Sequence, residues 1–215
     1  MNRIFATSIC VILATSAAAA EVELSFYGGV QSAPSSDVSI RDDDSIPDGD
    51  FSIAWEGRSL EAPPYYGIRA TKWRSPEFGY GLDFTHNKVY PENDELPAGY
   101  DVLEFTDGLN TLTVNAYRRW SSAFGEVSPY IGGGVGVSVP YVEVANSDSE
   151  TFSYQLTGPA ATWIAGASYP INDQWSVFGE YKGTFSSNTA DLDTGGTLET
   201  DIVTNAVNLG LSFNF

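Results

Sequence analysis

The last thirteen residues of the chain alternate strictly between two kinds of side chain. Successive side chains of a β-strand point to opposite faces, so residues two apart share a face. The face from Thr204 to Asn214 carries only small or polar groups, and the chain ends on an aromatic residue. A lipid-suited face opposite a small polar face predicts a strand of a bacterial outer-membrane β-barrel. The largely apolar face comprises Val203, Asn205, Val207, Leu209, Leu211, Phe213 and Phe215.

The opposite end of the chain has the pattern of a secretory leader. Arg3 supplies a positive charge, residues 4–13 are apolar, and residues 18–20 are three alanines that suit a signal peptidase. The apolar run is too short to cross a bilayer as a helix, which argues against an N-terminal anchor. We therefore predict a signal peptide over residues 1–20, a barrel domain over residues 21–215 and a location in the cell outer membrane.

Seven further segments show alternating hydrophobicity over lengths that suit membrane-spanning β-strands. Short turns alternate with long polar loops along the chain, as in barrels whose two ends face different compartments. The sequence thus predicts an all-β fold, an eight-stranded antiparallel up-and-down transmembrane β-barrel. The strands are expected at residues 22–31, 65–73, 78–90, 110–120, 128–144, 156–169, 175–186 and 203–215.

A soluble eight-stranded barrel of the lipocalin kind is the alternative fold. Such a barrel would place its apolar face around a ligand, whereas the predicted interior here is small and polar. Aromatic side chains also flank the short turns, where outer-membrane barrels carry an aromatic girdle. These residues are Trp73, Phe78, Trp120, Tyr169 and Trp175.

Charge limits the partners of the chain. The formal net charge is −18 at pH 7, so phosphate-rich nucleic acids would be repelled. The interior of an eight-stranded barrel is only just wide enough for side chains. We interpret the predicted inward charges as ion pairs that fill the lumen, with a proton or ion pathway as the alternative. These charges are Arg69, Asp83, Glu180 and Lys182.

His86 is the only histidine of the chain, and it lies where the third predicted strand approaches its long loop. Lys88 shares its face, and Glu104, Asp107 and Asn110 return to the same hairpin. A histidine flanked by carboxylates can bind a metal ion or act as a general base. A lone histidine near a membrane surface can also be an amphipathic interfacial side chain. The residues alone leave these interpretations open.

Five segments have a more distinctive character: FTHNKVY (84–90), LEFTDGLNTLTVNA (103–116), YQLTGP (154–159), IAGASYP (164–170) and LETDI (198–202). They resemble the lipid A oxidase group of alphaproteobacterial outer-membrane proteins. The similarity extends over most of the chain after the predicted leader. It implies an enzyme that oxidises the proximal glucosamine of lipid A to 2-aminogluconate with dioxygen. Lipid A in the lipopolysaccharide of the outer leaflet is then the partner.

The same resemblance suggests roles for the polar residues of these segments. His86 is expected to be a base or a metal ligand, with Glu104 and Asp107 as catalytic carboxylates. Dioxygen is the implied co-substrate and a divalent metal a candidate cofactor, whereas the sequence shows no flavin- or nicotinamide-binding motif. Substrate contacts are assigned to Lys88, Tyr90, Asn110 and Gln155, and metal ligation to Glu199 and Asp201.

Two other functions are open on the same fold. A non-catalytic barrel of the OmpA or OmpW kind would serve structure, adhesion or the passage of small solutes. A lipid A acyl hydrolase would need a serine–histidine–acid arrangement, and no serine lies convincingly near His86 in the sequence. The oxidase hypothesis differs from the passive barrel because it requires the polar residues of these segments to surround one lipid-accessible cleft.

Overall fold

Strands make up almost all of the regular structure. The computed structural model describes residues 21–121 and 123–215, so the predicted signal peptide lies outside the described residues. Within these ranges no helix has the length and apolar character needed to cross a bilayer. A 3₁₀ turn covers Glu92–Asp94. The strands are β1 (Glu21–Ser32), β2 (Ser36–Arg41), β3 (Gly49–Ile53), β4 (Trp55–Glu56), β5 (Tyr66–Trp73), β6 (Phe78–Pro91), β7 (Val102–Arg119), β8 (Ser128–Ala145), β9 (Glu150–Tyr154), β10 (Gly158–Pro170), β11 (Trp175–Asp191) and β12 (Thr197–Asn214).

Eight of these strands close into one antiparallel ring. Their order is β1, β5, β6, β7, β8, β10, β11 and β12, and pairing of β1 with β12 closes the ring. The prediction of an eight-stranded up-and-down barrel is therefore confirmed. Short turns at residues 74–77, 120–127 and 171–174 join the strands at one end, the short-turn end. The connections at the other end, the long-loop end, are longer except for residues 192–196 between β11 and β12.

Apolar side chains cover the outer wall, and polar side chains fill the interior. Along β12, Leu209 is 75% exposed whereas its neighbour Asn208 is fully buried. Inside the wall, the ring of Tyr117 on β7 occupies the room that Gly132 on β8 leaves free. This arrangement is the reverse of a soluble barrel and is the one that a lipid environment requires.

A network of ion pairs crosses the lumen. The Arg69 guanidinium donates to Asp83 at 2.9 Å and to the two carboxylate oxygens of Glu180 at 2.8 and 2.9 Å. Nζ of Lys182 and the hydroxyl of Tyr27 both donate to Oδ1 of Asp83, at 2.9 and 2.7 Å. All five side chains are buried. The predicted lumenal ion pairs are therefore present.

A second, apolar core closes the long-loop end. β2 extends the sheet by pairing with β12, and β3 pairs with β2. Apolar side chains of this hairpin pack against the ends of β7, β8 and β12, and their burial stabilises this end of the barrel. We call this cluster the cap. Its buried members are Ala33, Val38, Ile40, Ile46, Ile53, Trp55, Val89, Tyr100, Leu103, Phe105, Leu109, Val142, Val144, Ala190, Leu192, Leu198 and Ile202.

Several details of the sequence prediction are wrong. The loop expected at residues 187–202 is mostly strand, because β11 runs to Asp191 and β12 begins at Thr197. The first long loop contains β2, β3 and β4. The second does not run to residue 109, because β7 begins at Val102 and sends Leu103 and Phe105 into the cap. Trp73 is not part of an outer girdle, since its ring lies inside the barrel under the Arg119 guanidinium, 3.9 Å from the ring centroid.

Candidate functional site

His86 lies on the outward phase of β6, but its side chain is buried. Its ring stacks on Tyr66 of β5 with centroids 5.2 Å apart, and its Nδ1 lies 2.8 Å from Oδ1 of Asn110 on β7. An amide oxygen only accepts hydrogen bonds, so the ring proton sits on Nδ1. Nε2 is buried and has no hydrogen-bond partner among the described residues. In the neutral ring this nitrogen carries the lone pair that a general base uses.

An irregularity in the β6–β7 pairing brings extra backbone against this histidine. The register shifts between Asn87 and Val89, and residues 106–108, which we call the bulge, leave the ladder. Gly108 has a φ of 126°, and a Cβ at this position would lie 2.7 Å from Cε1 of His86. Glycine alone tolerates both this backbone conformation and this contact. The bulge therefore packs directly against the imidazole.

One carboxylate fastens the bulge to β8. Oε2 of Glu143 accepts hydrogen bonds from the Thr106 N–H at 2.9 Å, the Thr106 hydroxyl at 2.6 Å and the Asp107 N–H at 3.3 Å. The Tyr154 hydroxyl donates to the carbonyl of Asp107 at 3.1 Å. Glu104 stands opposite Glu143 in the β7–β8 register. Burial and, next, the charge of Glu143 raise the pKa of Glu104 above its ordinary value.

Lys88 and Tyr90 continue the same wall toward the long-loop end. Lys88 is fully buried, and its Nζ donates to the carbonyl of Glu61 at 3.0 Å and to the Tyr90 hydroxyl at 3.2 Å. The Arg58 guanidinium lies 4.5 Å from the centroid of the Tyr90 ring and pairs with Asp94 at 2.5 Å. Both cations therefore already have partners within the protein.

Six of the nine predicted site residues lie on one stretch of the outer wall: His86, Lys88, Tyr90, Glu104, Asp107 and Asn110. Gln155 lies apart, since its side-chain amide exchanges hydrogen bonds with the backbone of Asp191 at 2.8 and 2.9 Å. Glu199 and Asp201 line a separate groove of about 930 Å³ beside the β2–β3 hairpin. The structure therefore does not bring all the predicted residues to one cleft.

The structure shows no complete set of metal ligands around Glu199 and Asp201 among the described residues. Among the described residues, no group of three or more His, Cys, Asp or Glu side chains is placed to share a metal ion. Glu199 and Asp201 thus have no third ligand of these types in that part of the chain. The assignment of a divalent metal to Glu199 and Asp201 stays a prediction.

Sequence reasoning missed the residues that shape the surroundings of His86. Glu143, Thr106 and Tyr154 lie on segments predicted as a strand end or loops, without assigned roles. One signal was present: on the outward phase of β8, Glu143 follows the apolar run of Val135 and Val137. A carboxylate at that point marks where the wall leaves the lipid and becomes polar.

A closed eight-stranded ring with an apolar outer wall, a filled polar lumen and a polar patch near its long-loop end defines an outer-membrane β-barrel protein. The family model of the outer membrane protein beta-barrel domain matches residues 5–215, and the chain belongs to this family. The protein is accordingly one of the cell outer membrane, and its long-loop end faces outward.

Two solved structures illustrate the shared architecture. Neisserial surface protein A (NspA) is 13% identical with a TM-score of 0.50, over 91% of this chain and 97% of its own. The outer membrane protein OprG from Pseudomonas aeruginosa is 13% identical with a TM-score of 0.50, over 92% of this chain and 96% of its own. At this identity the likeness shows the fold alone. No curated protein is significantly similar to the chain in sequence.

Proposed function

We propose that this protein modifies lipid A at the outer wall of the barrel and oxidises its proximal glucosamine to 2-aminogluconate with dioxygen. The observation that carries the proposal is the state of His86. Its Nδ1 is bonded to Asn110, its buried Nε2 has no hydrogen-bond partner among the described residues, and it lies on the lipid-facing phase of the wall. The resemblance of five segments to the lipid A oxidase group supports the same substrate.

The reaction needs a base and an electron acceptor. The base takes the proton of the anomeric hydroxyl while C1 gives up its hydrogen together with two electrons, which yields a lactone. Dioxygen accepts the two electrons and two protons and becomes hydrogen peroxide. Water then opens the lactone, so the product gains one oxygen atom overall. The substrate must therefore carry a free hydroxyl group at C1.

The residues of the outer wall divide this work. Nε2 of His86 is the base, and Asn110 keeps the ring proton on Nδ1. The carboxylates of Glu104 and Asp107 accept hydrogen bonds from sugar hydroxyl groups. Tyr90, further along the wall, contacts the remainder of the headgroup, and the buried Lys88 holds the Tyr90 hydroxyl in place through its 3.2 Å hydrogen bond. Gln155, Glu199 and Asp201 lie outside this arrangement and have no part in it.

A non-catalytic barrel is the second candidate function. The filled lumen and the packed cap suit a structural or adhesive protein, and the burial of Nε2 suits a histidine that only packs. The acyl hydrolase has less support, because the hydrogen bond of the His86 ring goes to Asn110 rather than to a serine.

Mass spectrometry of lipid A tests the proposal. The host is a Gram-negative strain whose lipid A has a free C1 hydroxyl, expressing the wild type, His86→Ala or the control Asn205→Ala on the outward phase of β12. We expect a gain of one oxygen on the proximal sugar with the wild type and the control, and none with His86→Ala. Unchanged lipid A beside a folded wild-type barrel would refute the oxidation and favour the non-catalytic function.

A further inference from the structure

The bulge lies against the ring whose nitrogen the proposed chemistry needs. Nε2 of His86 is buried, and a Cβ on Gly108 would lie 2.7 Å from Cε1, the carbon bonded to Nε2. A buried nitrogen must be uncovered before a sugar can reach it. We propose that the bulge is the lid that covers His86 and that Glu143 is the latch that holds it closed. The role in catalysis rests on the proposed function, since the lid matters only if His86 acts on a substrate.

The lid is held mainly by side chains. Residues 106–108 take no part in the registers of β7 with β6 or with β8. Their fastening to β8 is the carboxylate of Glu143, whose Oε2 accepts from two backbone N–H groups and one hydroxyl. Hydrogen bonds to an ionised acceptor are about twice as strong as neutral ones. Removing this one carboxylate therefore removes three of the hydrogen bonds that hold the bulge against β8.

Glu104 weakens the latch from the neighbouring position. Oε1 of Glu104 lies 3.2 Å from the Thr106 hydroxyl, and Oε2 of Glu143 lies 2.6 Å from the same oxygen. One hydroxyl proton serves one carboxylate at a time, so the two carboxylates compete for it. Like charges directly opposite each other on adjacent strands also destabilise the pairing. Because the like charge of Glu104 weakens the hold of Glu143, the latch can be released, as a lid over a reactive group requires.

The two ends of the lid are fixed, which limits how far it opens. Phe105 and Leu109, on either side of the bulge, are both buried in the cap. Movement is therefore confined to the three residues between them. Gly108, already at positive φ, is the residue whose backbone can change conformation at least cost. Outward rotation there would uncover the imidazole without disturbing the ring of strands.

Chemical labelling of His86 tests the lid without an enzyme assay. Diethylpyrocarbonate acylates accessible imidazoles, and the chain has a single histidine, so one peptide in the mass spectrum reports the exposure of Nε2 in the folded barrel. In Glu143→Ala the charge-assisted hydrogen bonds are gone, and we expect the labelling rate to rise roughly tenfold. Glu104→Gln is the opposite test: it removes the charge that competes with Glu143, and we expect the labelling rate to fall.

An equal labelling rate in folded wild-type and Glu143→Ala barrels would contradict the lid. If Glu143→Ala does not fold, Tyr154→Phe is measured instead, because it removes only the hydrogen bond to the Asp107 carbonyl. A labelling rate above that of the wild type then supports the lid, and a rate equal to it contradicts the lid. The lipid A measurement fails independently. If Glu143→Ala is labelled faster but the wild type does not oxidise lipid A, the lid stands and the proposed enzymatic function fails. If the wild type oxidises lipid A but Glu143→Ala is labelled at the wild-type rate, the enzymatic function stands and the lid fails.

Discussion

Arg69 serves two carboxylates at once in the interior of the barrel. Asp83 and Glu180 both accept hydrogen bonds from its guanidinium, and all three side chains are buried. Lys182 reaches Asp83 but makes no ion pair with Glu180 among the described residues. Loss of the arginine would therefore leave Glu180 without its cation. An unpaired buried charge costs far more than an intact pair contributes.

We predict that Arg69→Met lowers the free energy of unfolding by about 3–5 kcal/mol, the usual cost of breaking a buried ion pair on one side. Urea unfolding in lipid vesicles, followed by the gel mobility of the folded barrel, measures the change. Lys72→Met, on the outward face of the same strand, is the control and should stay within about 0.5 kcal/mol of the wild type. Equal losses in both variants would contradict the assignment.

Asp43 makes the stability of the loops outside the membrane depend on pH. Burial opposes its ionisation, but hydrogen bonds from the Ile46 N–H, the Thr194 hydroxyl and the Ser45 N–H outweigh it and hold the pKa of Asp43 below its ordinary value. A carboxylate with a lowered folded-state pKa stabilises the fold at neutral pH, and this stabilisation is lost as the pH falls through that pKa.

Hydrogen exchange of residues 42–47 and 192–196 tests this dependence, after correction for the intrinsic effect of pH. We expect protection in the wild type at neutral pH and its loss in acid. Asp43→Ala should lack the protection already at neutral pH, whereas the neighbouring Asp44→Ala should keep it. Protection that is the same in Asp43→Ala and the wild type would show that these hydrogen bonds do not hold the two loops together.

The orientation of single side chains could be predicted, but the surroundings of His86 could not. The period of two in a strand places Arg69 and Asp83 inside without further information. The buried ring of His86 contacts Tyr66 and Asn110, which come from neighbouring strands, and it lies against Gly108, which has left the ladder. Nothing local to residues 84–90 indicates that a bulge from β7 will lie against the ring.

The β2–β3 hairpin shows how tertiary contacts can make a segment fold into strands when its local sequence suggests a loop. Val38 and Ile40 point into the cap, while Ser39 on the opposite face bonds Asp50 at 3.0 Å. The alternation is only six residues long and lies among Ser, Asp and Pro residues, so composition alone suggested a loop. Pairing with β12 and burial against the cap stabilise strands that local propensity does not determine.

Ile40→Ala should loosen this hairpin while the ring of strands stays folded. The side chain is fully buried, and truncation of a buried isoleucine costs about 2–5 kcal/mol. The readout is the rate at which an external protease cleaves residues 36–53 in the folded barrel, with gel mobility to report the ring. Ser39→Ala is the matched control. A cleavage rate unaffected by Ile40→Ala would show that the cap does not hold the hairpin.

In the whole molecule, the lumen is obstructed at two levels. The ion-pair network crosses it between β5, β6 and β11, and the cap closes the long-loop end. We predict that the purified barrel produces no conductance steps in a planar bilayer in which an open porin does. Stepwise conductance would show a continuous path and would favour the proton or ion pathway instead.

The ring was predictable as a whole because each strand repeats the same alternation and the turns repeat the same pattern of lengths. The cap was not, because its members come from three connections and several strand ends that show no common pattern in sequence. Its apolar residues are spread from Ala33 to Ile202, and only the closed ring brings them together. The part of the molecule set by membrane physics was thus easier to predict than the part set by packing.

The length of β12 has a consequence for how the cell surface is recognised. Its 18 residues measure about 60 Å, rise about 45 Å at the usual tilt and need only about 25 Å to cross the lipid. About 20 Å of continuous sheet therefore stands among the sugars outside the bilayer. An antibody or phage that approaches the cell therefore meets folded sheet rather than flexible loops, including the β2–β3 hairpin that pairs with β12. We expect immune sera against linear peptides from residues 36–53 to recognise the denatured chain far better than intact cells.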